Sequence, residues 1–119
     1  MNNPSYPQFI IAGNIAETYA STPGSNSSQV KKYYKSALID MENSPVIITI
    51  LKIMIRCGYV SYLMKIQDES AENEKAVVHS ACTELLKQKL SNAMHQLITD
   101  FLNDNDSNKY EEFAQKRQY

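Results

Sequence analysis

In residues 46–66, VIITILKIMIRCGYVSYLMKI, 15 of 21 positions are apolar and face almost every direction around a helix. A helix packed against one neighbour needs an apolar stripe over about a third of its circumference. Here only a narrow polar strip is left. At about 100° per residue, Thr49, Lys52, Arg56 and Tyr59 fall within roughly 80° of one another. Such a segment has to be covered from several sides at once, by its own chain or by another. The 19 residues 46–64 are long enough to span a bilayer. However, Lys52 and Arg56 sit near their centre, where each costs about 2.5–3.5 kcal/mol to insert. The segment is therefore read as a buried helix of a soluble fold, with no membrane partner.

A chain of 119 residues has room for one domain and one modest core. Its net charge of −1 offers no whole-chain attraction for nucleic acid or anionic lipid. Gly13, Gly24 and Gly58 are its three glycines, few enough to suit a helical chain with few tight turns. Cys57 and Cys82 lie among apolar neighbours and read as small buried hydrophobes rather than as a disulfide framework. A reducing, cytoplasmic compartment follows as the expectation. The apolar run FIIAGNIA lacks the positive flank of a secretory signal.

Along the chain, Phe9, Ala12, Ile15/Ala16 and Tyr19 recur at helical spacing and predict a short helix over 7–20. Gly13 weakens it by about 1 kcal/mol relative to Ala. Residues 21–28, STPGSNSS, have linker composition. Within 1–30 the single charge is Glu17, which makes this N-terminal segment a candidate for ordering against a partner. A second helix starts at Ser27 or Ser28 as cap, with Val30, Tyr34, Ala37/Leu38 and Met41 on one face. Ser44-Pro45 is the start signal of the apolar helix, which runs to about residue 66. After a turn at 67–70, the acidic cluster Asp68, Glu69, Glu72 and Glu74 suits the positive end of a further helix.

That further helix shows apolar pairs every four residues: Val77/Val78, Ala81/Cys82, Leu85/Leu86, Ala93/Met94, Leu97/Ile98 and Phe101/Leu102, with Leu90 filling the gap. A step of four advances about 400°, so the stripe drifts by about 40° per repeat. One straight neighbour cannot follow it. Either the helix bends or breaks near 89–92, or its halves face different partners. It ends at 103–108, and 109–118 adds at most a loose terminal helix.

Residues 46–80 also parse as a winged helix, with strands at 62–67 and 75–80 around an acidic tip. The tip would repel phosphate, and 77–80 fits the downstream helix better. His79 and Cys82 share a helical face, but a structural zinc site needs four ligands and no second pair exists. No carboxylate–histidine–nucleophile constellation, glycine-rich phosphate loop or HExxH is present, so no catalytic residue and no cofactor is assigned. Lys31-Lys32-Tyr33-Tyr34-Lys35 resembles a stacking patch for single-stranded nucleic acid in type. Without a second basic cluster it reads as an amphipathic helix, one tyrosine inside and the lysines in water.

The expected architecture is all-α: a small bundle built on a long antiparallel hairpin, with a shorter N-terminal helix and flexible termini. Residues 1–27 form the N-terminal segment, 28–105 the helical domain and 106–119 the tail. The expected function is non-enzymatic: a small adaptor or chaperone that completes a bundle with a protein partner or a second copy, without a small-molecule substrate. Leu90, Ala93, Met94, Leu97, Ile98, Phe101 and Leu102 are the expected partner-binding surface. The alternative is a winged-helix DNA-binding regulator dimerising through its C-terminal helix.

Overall fold

The computed structural model describes residues 8–39 and 46–116, with side chains over 13–39 and 49–116. Over these residues the order is α1 (Gln8–Ala20), α2 (Ser27–Ile39), α3 (Val46–Lys65), α4 (Ala71–Leu86), α5 (Asn92–Asn103) and α6 (Lys109–Gln115). No strand occurs among them. The winged-helix parse is thereby overturned: its two strand segments fall largely inside α3 and α4. Continuous i→i−4 hydrogen bonding along one apolar face outcompetes a short hairpin whose wing would carry four carboxylates. The Ser44-Pro45 start signal and Met41 lie outside the described residues.

The helix α3 is the axis of the molecule. Its Ile50, Ile53, Met54, Cys57 and Val60 enter a core shared with Val78, Cys82 and Leu85 of α4, Ile98 and Phe101 of α5, and Tyr110 and Phe113 of α6. On its other side Ile55, Tyr59, Tyr62 and Leu63 meet Ala16 of α1 and Val30, Tyr34, Ala37 and Leu38 of α2. Over its described side chains, the apolar character of this segment is thus largely answered within one chain, with Ile66 at its end left exposed. Even the polar strip is partly covered, because Arg56 reaches Glu74 of α4 at 2.7 Å, and Tyr59 is buried against Tyr34, rings stacked 5.1 Å apart. The molecule measures 44 × 42 × 24 Å, so its thin dimension is about two helix diameters.

Helix ends explain the path. Asn26, rather than Ser27 or Ser28, caps α2: its Oδ1 accepts from the Ser28 amide at 2.8 Å. This geometry satisfies one of the amides left over at a helix start. The C-terminus of α3 closes through two bonds, Asp68 N–H to Leu63 O at 2.9 Å and Gln67 N–H to Met64 O at 3.1 Å. That closure requires a left-handed residue, and Gln67 supplies it at φ 56°. The chain then returns along α3, placing Arg56 beside Glu74. Asp68 organises the corner by accepting from the Ser70 amide and hydroxyl and pairing with Lys31 of α2.

The drifting stripe is resolved by a break. The helix α4 ends at Leu86 and α5 starts at Asn92, capped by Ser91, whose hydroxyl accepts from the Met94 amide at 3.2 Å. The interruption frees α5 to take its own direction, so Ile98 and Phe101 enter the core that Val78, Cys82 and Leu85 begin. The residues read from the sequence as a loose tail are also recruited. Tyr110, Phe113 and Ala114 of α6 are buried, chiefly against α3. Phe101 anchors them, 4.8 Å from Phe113 and 5.6 Å edge-on from Tyr110. The reason this escapes a periodicity argument is length: seven residues show barely two turns, too few to define a stripe.

Gly13, which weakens α1 as an isolated helix, has a packing role. A Cβ there would stand 2.9 Å from Ile55 Cδ1, so its absence lets α1 approach α3 closely.

Candidate interaction surface

Of the seven residues read from the sequence as partner-binding, Ile98 and Phe101 lie inside the chain's own core. Leu90, Met94, Leu97 and Leu102 are half-buried against that core, and only Ala93 is exposed. Five of the seven thus keep some exposure, along the rim of that core. The break before α5 redirects the stripe inward, and α6 shields Phe101 from the outside.

Of the large apolar side chains exposed among the described residues, three lie on the N-terminal helix pair, the others being Ile66 after α3 and Val77 of α4. Ile15 is 48% exposed, Tyr33 37% and Ile39 67%. The first two line a groove between α1 and α2 with Asn14, Thr18, Tyr19 and Thr22, about 380 Å³ in volume. Its floor is held by the edge-on contact of Tyr19 with Tyr33, centroids 5.7 Å apart and planes at 84°, an arrangement aromatic pairs prefer. One end is shaped by the turn, where Ser21 and Thr22 hydroxyls donate back to the Glu17 and Thr18 carbonyls and Gly24 takes φ 79°.

The outer face of α2, away from the groove, carries Lys32, Lys35, Ser36 and Ile39, with Lys35 and Ile39 about 160° and 120° around the axis from Tyr33. At about 100° per residue, Ile39 falls within about 40° of both lysines around the axis. The run of lysines and tyrosines is thus divided by the fold. Tyr34 is buried, Tyr33 rims the groove and Lys31 is paired with Asp68. Lys32 and Lys35 meet no carboxylate among the described residues.

A second concavity of about 250 Å³ lies where α1, α2, α3 and α6 cross, lined among others by Glu17, Tyr34, Gly58, Lys65 and Glu111. A Cβ at Gly58 would come within 3.2 Å of Glu17 Oε2 and 3.3 Å of the Tyr34 hydroxyl. This glycine is a crossing point rather than a turn. Lys65 spans the rim toward Glu111 at 3.6 Å.

Groups with chemical potential elsewhere are engaged structurally. Burial pushes Cys57 well above its usual value and Cys82 up to about 11, which keeps both thiols protonated and poorly nucleophilic near neutrality. His79 shares a 3.1 Å hydrogen bond with the Tyr110 hydroxyl instead of joining Cys82 in a metal site. Among the described residues no group of three or more ligand-type side chains is placed to hold a metal, and no helix is long and apolar enough to cross a membrane.

The groove was missed in the sequence because Ile15 and Ala16 are adjacent and read as one apolar face. Packing splits them, with Ala16 inward and Ile15 outward. The usable signal was the scarcity of charge before residue 31. Among protein-family models, curated proteins and solved structures, none matches this chain.

Proposed function

We propose that this protein is a non-enzymatic interaction module, a small helical adaptor or chaperone that engages another protein through its N-terminal helix pair in a reducing, cytoplasmic setting. The observation that carries this reading is the α1–α2 groove, where Ile15 and Tyr33 stand exposed. An aromatic-lined depression next to a large exposed aliphatic side chain supplies the anchor pockets on which interfaces concentrate their energy. The two free, buried thiols fit a reducing compartment. The half-buried rim of Leu90, Met94, Leu97 and Leu102 is a secondary edge that a partner could extend over.

Site-specific photo-cross-linking in the native cell tests the proposal. A photoreactive residue at Tyr33 is expected to give a discrete adduct, absent when the same residue replaces exposed Thr83. Equal labelling from both positions, or no adduct from Tyr33, would remove the α1–α2 surface as an interface. Light scattering of the adduct-forming protein then separates a second copy from a different partner.

A further inference from the structure

We draw no further inference here: the strongest candidate, the groove between α1 and α2 lined by Ile15, Thr18, Tyr19 and Tyr33, is an open apolar face, and nothing in the structure shows what covers it.

Discussion

His79 sits where α4 faces α6, its Nε2 on the Tyr110 hydroxyl and its ring 6.0 Å from that of Phe101. Burial, then the charges of Lys109 and Lys75, hold its pKa below the ordinary 6.5. The folded protein thus binds fewer protons at this site than the unfolded chain over that interval, so stability must rise with rising pH there. The contribution is fully present above about pH 6.5 and is lost as pH falls through the lower folded value. Urea midpoints measured from pH 7.5 to pH 5 should therefore decline, and His79→Gln should flatten that decline; an unchanged slope would remove His79 as the source. Neighbouring Lys109 is only 7% exposed, yet its side chain is well partnered. Its Nζ donates to the Phe101 and Asp104 carbonyls at 3.1 and 2.9 Å and lies 4.7 Å above the Phe101 ring. A cation at the carbonyl end of α5 meets the negative end of the helix dipole. Nothing in the spacing of Lys109 marks it as buried, because the groups that solvate it are backbone oxygens, invisible to a hydropathy pattern.

At the level of elements, the regular features were readable and the terminations less so. The span of α3, the turn after it and the interruption before α5 follow from apolar coverage and from a four-residue period that no straight helix can sustain. The cap of α2 shifted by one residue because Asn, Ser27 and Ser28 are chemically equivalent candidates and only the backbone decides. Gln67 exemplifies a cost hidden from composition: a residue with a Cβ held at positive φ carries about 1 kcal/mol of strain. Gln67→Gly should raise stability by up to about 0.5 kcal/mol, the larger backbone freedom of glycine in the unfolded chain offsetting part of the relief. Ser91→Ala should lower it by about 1 kcal/mol through loss of the α5 cap. Denaturant unfolding of both variants measures the two opposite signs, and a destabilising Gln67→Gly would mean that the side chain contributes more than the turn loses.

On the scale of the whole molecule, α3 belongs to two cores at once, and this couples the N-terminal pair to the C-terminal three helices. Truncation after Asn108 removes Tyr110 and Phe113, each worth about 1.5–3 kcal/mol of burial, together with the Lys109 contacts on α5. Against a typical total of roughly 5–15 kcal/mol, the shortened chain should lose cooperative unfolding. The NMR methyl signals of Val30 and Ala37, in the opposite core, should lose dispersion with it. Retention of those signals would show the halves to be independent. The sequence pointed to a helical assembly needing cover on all sides of α3. The part played by α6 in covering α3 was not legible, since seven residues are too short to show a stripe. The location of the surface groove depended on which of Ile15 and Ala16 turned outward, a choice set by Gly13 and its closeness to Ile55 rather than by either residue's hydropathy. A single shared helix also bears on inheritance: neither side of this fold can be shuffled into another gene as a self-sufficient cassette, and mutations accepted on one flank of α3 restrict those open to the other.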